Sequence, residues 1–444
     1  MLKSGFYQTD ITPWLGLNMP GYFHRRPAGD IFDRLYASAW VLDDGVKQIA
    51  VVSVDSIGVE RELTLAIRNR VQAACGIPAP HIMVSATHTH TGGSVVKRKR
   101  FGAPEREYTD FLINRAADAV VLAQKNLAPC ELFFNAGNLD GYSFCRIYKM
   151  KSGGLRTNPG MDNPDILGPY YDIDRGVTLI KIAVNGQVAG VVVNWANHCD
   201  VVGSEYGISA DYPGRLRDRL KARYGEDTAV LFLQGACGNI NHINPFDPAT
   251  RDKQRYIAIG DALADTAIEL ADAAAKQDDP SVQIKTEYVT LNQRLPGEAL
   301  LKWSAEVVSR VTYDASSLSG WNKDQIDLYF AEEALDTQKK GVSPIVCDLQ
   351  VIKIGGLVVF TSPGELFNEY AQELKQKSPC AYTVVAAYTN DYRGYICAPG
   401  CDGPGVYEYR LKCGATLEDG AGAKMNRRLL AAAAELTDKI SSTE

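Results

Sequence analysis

Short apolar runs of strand length recur along this chain. Each is followed by a polar or glycine-bearing turn and then by a stretch with helical spacing, and this alternation is what most restricts the fold. Ile49-Ala50-Val51-Val52-Ser53-Val54 is a strand of the buried type. Helical spacing follows from about 60 to 74, and His81-Ile82-Met83-Val84-Ser85 supplies a second strand, so the chain begins β-α-β. Helical periodicity recurs at about 106–126, 211–224, 254–275, 297–312, 324–339, 365–376 and 421–440. Within 254–275, Tyr256, Ile259, Leu263, Ala267 and Leu270 step by three or four, which makes one face that must pack against something. Asn185-Gly186, inside Val177 to Trp195, predicts a type I′ hairpin, and Gly355-Gly356 turns the strand material from Ile345 to Phe360. Parallel and antiparallel pairs are therefore both expected. The fold class is α/β, with mixed β-sheets flanked by helices.

A length of 444 residues allows two to three small domains or one large one. We expect a single domain over 1–444, with a soft boundary near 277–281, where an acidic linker precedes an alternating, edge-type strand at Val282 to Glu287. Segment 138–172, rich in Gly, Asn, Asp, Pro and Tyr, shows no periodicity and reads as a long ordered loop that covers something functional. Lys plus Arg number 47 against 53 Asp plus Glu, a net charge of −6 that offers no field for nucleic acid. No apolar stretch has the length of a signal peptide or a bilayer span, so a cytoplasmic protein without a stable membrane anchor is expected. Ten cysteines are too few for a disulfide scaffold, and Cys397 and Cys401 read as loop thiols.

Chemistry gathers where strands end. His88 and His90, two of only six histidines, follow the strand His81 to Ser85, and residues two apart in an extended chain point to one face. His198 follows the apolar strand Val191 to Trp195 and could provide a second imidazole for a borderline cation such as zinc. Phe360-Thr361-Ser362-Pro363-Gly364-Glu365 reads as strand, turn, and a carboxylate in the first turn of a helix, suited either to the helix dipole or to a metal. Leu231 to Gln234 delivers Gly235-Ala236-Cys237-Gly238-Asn239-Ile240-Asn241-His242, where small residues would let the backbone approach a ligand and offer amide donors. Ligands collect at the carboxyl edge of α/β sheets, so four such ends point to one site. The basic run Lys97-Arg98-Lys99-Arg100 reads as a solvated loop that could also hold a carboxylate or phosphate, which leaves room for an anionic small-molecule substrate. The sequence fixes no oligomeric state.

Asp10-Ile11-Thr12-Pro13, Met19-Pro20-Gly21-Tyr22, Asp33-Arg34-Leu35-Tyr36-Ala37 and, above all, Ser85-Ala86-Thr87-His88-Thr89-His90-Thr91-Gly92 resemble the amino-terminal catalytic domain of the neutral/alkaline non-lysosomal ceramidases, in order and over most of the chain. The resemblance implies a ceramidase-like catalytic domain and a zinc-dependent amide hydrolase. Its metal ligands would be His88, His198, Glu365 and Tyr395, the last in Asn390-Asp391-Tyr392-Arg393-Gly394-Tyr395. It also implies that His90, Tyr407 and Arg146 meet the negative charge developing on oxygen while a metal-activated water attacks an amide or related acyl carbon.

Two departures redirect the expected substrate. Asn241 stands where the family has a serine, and an asparagine amide can orient or donate but cannot be the nucleophile. The chain also ends soon after Tyr407, so the immunoglobulin-like domain that follows in the family is expected to be missing. A smaller, more polar substrate than ceramide is therefore expected. Two alternatives stay open: an amidohydrolase-type β/α barrel, for which the late histidines His198 and His242 are a thin supply of ligands, and a binding protein whose metal site has decayed.

Overall fold

The computed structural model describes residues 1–97, 105–203, 205–278, 280–314, 322–411 and 417–441. A nine-stranded sheet carries, in spatial order, the strands Ala229–Gln234, Gln187–Trp195, Gly176–Val184, Ala128–Asn138, Lys3–Asp10, Tyr36–Asp43, Gln48–Val54 and Ile82–Ala86, with Ala275–Lys276 paired off the path onto Ala128–Asn138. Its two terminal pairs are parallel and the pairs between them antiparallel. A second sheet holds Val282–Asn292, Pro344–Ile354, Leu357–Thr361 and Tyr382–Ala386, and its last pair is parallel. Mixed sheets flanked by helices are thus what the chain forms.

The layering follows from strands whose two faces are both apolar. Val191, Val193 and Trp195 point to one side with Val230 and Phe232, and meet Leu216, Leu220, Ile259, Leu263 and Ala267 from helices Tyr212–Tyr224 and Arg255–Asp272. Their neighbours Val192, Leu231 and Leu233 point the other way, onto Ile352, Ile354, Val359 and Val384 of the second sheet. The far face of that sheet, with Val351, Val358 and Phe360, is covered by Ala371, Leu374, Met425 and Leu429 from helices Asn368–Lys377 and Ala421–Ser441. The result is helix, sheet, sheet, helix. Phe360 is fully buried in this stack, where truncation to alanine costs about 3–5 kcal/mol.

One closure matters for the site. The two edges of the large sheet curl toward each other: Ser53 Oγ donates to Phe232 O at 2.7 Å, and Gln234 Nε2 donates to Thr87 O at 3.1 Å. Strands Ile82–Ala86 and Ala229–Gln234, which lie at opposite ends of the hydrogen-bonded order, thereby bring their carboxyl ends together.

Three expectations are modified. Helix Asn368–Lys377 begins three residues after Glu365, which sits instead in a two-residue strand, Glu365–Leu366, parallel to Tyr395–Ile396. The backbone there pairs with a distant segment, a preference that local pattern does not encode. Segment 138–172 holds the short strands Phe144–Cys145, Ile147–Met150, Leu155–Thr157 and Ile166–Pro169, too brief to show a period. The edge strand after the acidic linker runs on to Asn292. Asn185 (φ 51°) and Gly186 (φ 78°) form the expected hairpin turn, and the described cysteines are free thiols. Among the described residues no helix is long and apolar enough to cross a membrane.

Candidate metal centre

Strand Ile82–Ala86 ends in Thr87, and His88 then turns into the left-handed region at φ 68°. This is not the extended geometry that the spacing of His88 and His90 suggests; the imidazoles converge because the chain bends there. The bend is sustained by His88 N–H donating to Ser56 O at 2.8 Å and by Tyr388 stacked on the imidazole, centroids 4.0 Å apart. A bulky residue at positive φ is costly and needs such support. His90 N–H donates to Cys199 O at 3.0 Å, so the loops after two different strands are tied directly to each other.

Three imidazoles meet in the interior. His88 Nε2 lies 3.1 Å from His198 Nε2 and 3.3 Å from His90 Nε2, and one ring nitrogen from each of the three falls within 4.8 Å of the others. Glu365 Oε2 is 3.7 Å from His88 Nε2 and 4.0 Å from His198 Nε2. All four residues are buried. The Nδ1 atoms of His88 and His198 face backbone carbonyls, Ile57 O at 2.7 Å and Cys237 O at 3.3 Å. With the proton assigned to Nδ1 in each ring, both Nε2 atoms present lone pairs to one another. Opposed lone pairs at that distance repel unless a cation lies between them, and a carboxylate adds a fourth donor of the kind zinc accepts. Burial, followed by the charges of His88, Arg146 and His90, holds His198 well below the ordinary histidine range, which keeps it neutral and fit to ligate. The donor set fits a divalent metal.

The other sequence-predicted residues stand on the carboxylate side. Tyr395 is paired through its backbone with Glu365, and its ring lies 5.9 Å from that of Tyr407. Arg146 sits 5.1 Å over the Tyr395 ring, forms an ion pair with Glu408 at 2.6 Å and donates to Gly238 O at 2.7 Å. Burial alone would lower the Arg146 pKa, but Tyr395, Glu408 and Glu365 outweigh it and raise the value well above normal. Glu408 also accepts from Thr157 Oγ1 at 2.5 Å. The amide of Asn241 is engaged at both ends: Nδ2 donates to Asn158 Oδ1 at 2.8 Å, and Oδ1 accepts from Ile243 N–H at 3.0 Å.

The glycines after strand Ala229–Gln234 serve packing between loops. A Cβ on Gly238 would stand 2.3 Å from Glu365 O, and its N–H donates to Leu366 O. Gly235 N–H donates to Trp195 O. The amides expected to meet an oxyanion are used to seat Glu365 and the His198 strand. Of the basic run, Lys97 pairs with Glu62 at 3.4 Å on the surface, and Arg98, Lys99 and Arg100 lie outside the described residues.

Several residues escaped the sequence reading. Tyr392 donates from its hydroxyl to Glu365 Oε1 at 2.5 Å, which aims Oε2 at the imidazoles. Gln234, fully buried, donates from Nε2 to Thr87 O and to Asn197 O at 2.8 Å, while its backbone O accepts from Ala387 N–H. Asp200 lies 3.6 Å from His90 Nδ1 and accepts from Tyr22 at 2.6 Å. Buried Arg26 donates to the carbonyls of Pro20 and His90, and to Gly203 O at 2.7 Å. Gly21 lets this loop approach, since a Cβ there would meet His90 Nδ1 at 2.3 Å. A polar residue inside an apolar strand was the available signal for Gln234; the others had none beyond their residue type.

A mixed α/β protein with a buried imidazole–carboxylate cluster at its strand ends has the donor set of a metal site. Residues 3–217 match the family described as neutral/alkaline non-lysosomal ceramidase, N-terminal, which bears out the resemblance read from the motifs. Curated relatives include neutral ceramidase 3 of Arabidopsis thaliana, 24% identical over 242 residues, which are 50% of this chain and 31% of that protein. Another is the neutral ceramidase of Oryza sativa subsp. japonica, 26% identical over 191 residues, 40% of this chain and 23% of that protein. The chain thus matches about a third or less of the length of these relatives. The fold matches the crystal structure of neutral ceramidase from Pseudomonas aeruginosa with a TM-score of 0.74 at 18% identity, covering 99% of this chain and 75% of that one. A ceramidase complexed with C2 matches equally well, at a TM-score of 0.73, 18% identity and the same coverage.

Proposed function

We propose that the chain is a zinc-dependent hydrolase that cleaves an amide or related acyl bond of a small, polar substrate. The observation that carries this reading is the convergence of His88, His90 and His198 with Glu365 at the strand ends. The relatives named neutral ceramidases support the bond class. Asn241 in place of a serine, and the Asp200 carboxylate beside His90, support a substrate more polar than a ceramide.

Zinc held by His88, His198, Glu365 and Tyr395 would supply Lewis acidity toward the acyl oxygen and the attacking water. The remaining chemistry falls to the chain. His90, its Nε2 beside His88 and its Nδ1 beside Asp200, would take up a proton and return it to a leaving amine. Arg146 is committed to Glu408 and Gly238, so it acts through Tyr395, fixing that phenol and adding positive potential in a buried setting where charge is weakly screened. Tyr407, edge-on to Tyr395, offers a hydroxyl to negative charge developing on oxygen.

Elemental analysis with an N-acyl substrate panel tests this. Near-stoichiometric zinc is expected in the native chain, lost in His88→Ala and in Glu365→Ala, with hydrolysis falling in step. Hydrolysis that persists in metal-free protein, or zinc-loaded protein inert toward every amide and ester tried, would overturn it.

A further inference from the structure

Beside the candidate metal centre stands a wall of rings, of which the chemistry above uses only Tyr395 and Tyr407. Helices Glu298–Arg310 and Lys323–Lys340 lie between two strands of the smaller sheet in sequence and pack onto the loop that carries Tyr22 and Phe23. Phe23, Tyr329 and Phe330 pack with centroids 5.4 to 5.8 Å apart, and Ile326 completes the cluster. Phe23 is 8% exposed, Tyr329 and Phe330 3% each. Tyr407 joins this cluster to the main core: its ring lies 6.1 Å from Phe23, 6.4 Å from Phe330 and 5.9 Å from Tyr395. The Arg410 guanidinium rests 4.6 Å over Phe330. From Tyr22, edge-on to His90 at 6.0 Å, through Phe23 and Tyr407 to Tyr395, aromatic side chains pass along one side of the candidate metal ligands.

We infer that this wall sets the acyl group of the substrate: a compact apolar group of a few carbons, in place of a long alkyl chain. The inference rests on the hydrolase reading, because it takes the acyl carbon to react beside the zinc ligand Tyr395 and the Tyr407 hydroxyl, where this wall begins. Rings already in mutual van der Waals contact leave an extended chain no path between them except by displacing one, and close-packed interiors resist that. The surroundings are also divided, with the Asp200 carboxylate beside His90 and apolar rings beside Tyr407. An amide with a polar amine and a compact acyl group matches both halves.

Binding of straight-chain carboxylates, from acetate to dodecanoate, to the zinc-loaded chain tests this by calorimetry, since the acid product should bind whether or not turnover is seen. Native protein is expected to prefer the shortest acids and lose affinity as the chain lengthens. Phe330→Ala should move the optimum to longer acids by about tenfold in relative affinity, the value of about two buried methylenes. Phe330→Leu, which keeps an apolar filler and guards against loss of fold, should move it less and in the same direction. Affinity that rises steadily to dodecanoate in the native chain would overturn the inference, as would one profile shared by all three proteins or no carboxylate binding at all. Inertness toward N-acyl compounds with the length profile intact would instead remove the hydrolase reading.

Discussion

The two halves of the candidate centre are built by different means. The imidazole half hangs on backbone carbonyls: His88 on Ser56 O and Ile57 O, and His90 on Cys199 O, with the Gln234 side chain bridging the carbonyls of Thr87 and Asn197. The carboxylate and phenol half is set by side chains: Tyr392 on Glu365, and Arg146 on Tyr395 and Glu408. Backbone clamps belong to the sheet and share its cooperativity, whereas side-chain clamps can be cut one at a time. Substitutions should therefore be graded on the second half and all-or-none on the first.

The largest effect that would sharpen this contrast is expected from Arg146→Ala, which leaves the buried Glu408 carboxylate without its cation. Breaking one partner of a buried pair costs about 3–5 kcal/mol, and denaturant unfolding should register a loss of that size. Combining it with Glu408→Gln should recover part of the loss. Loss under 1 kcal/mol in the single variant would mean the pair is solvated and the contrast is wrong.

Tyr392→Phe comes next. Removing one hydroxyl leaves the ring packed near Gly58 but takes a donor from Glu365 Oε1, and outer partners of metal ligands are worth about 10–100-fold in metal affinity. Competition with a chelator should show that loss in zinc binding, with the unfolding midpoint of the metal-free protein little changed.

The smallest effect is a pH dependence. Burial lifts Glu369 from 4.5 to about 7, although Asn239 Nδ2 donates to it at 2.7 Å. Because the folded pKa is the higher one, the stability this residue allows is complete below pH 4.5 and is lost as pH rises through about 7. Glu369→Gln should therefore be more stable than the native chain above that range and no different below 4.5. Unfolding curves across the window would show it; a constant difference at all pH values would assign the effect to packing.

Much of the fold could be read from pattern. The Asn185-Gly186 turn, the strand ahead of His88, and the helix Arg255–Asp272 with its apolar face all formed where spacing and turn chemistry put them. What pattern missed is short or cooperative. The strand Glu365–Leu366 exists only because Tyr395–Ile396 lies beside it, and His88 leaves the extended region only because Ser56 and Tyr388 hold it there. Tyr392 could not be told from Tyr388 or Tyr395 in one tyrosine-rich stretch.

The sequence alone determined which residue types follow which strands, because alternation, turn residues and helix periodicity are local properties of the chain. It also determined the family likeness, through a run of motifs. The tertiary structure alone decided that His88 and His198 share a centre with Glu365. That meeting requires the ends of a nine-stranded sheet to curl together and a second sheet to stack beneath, and long-range pairings of this kind leave no mark in any local window.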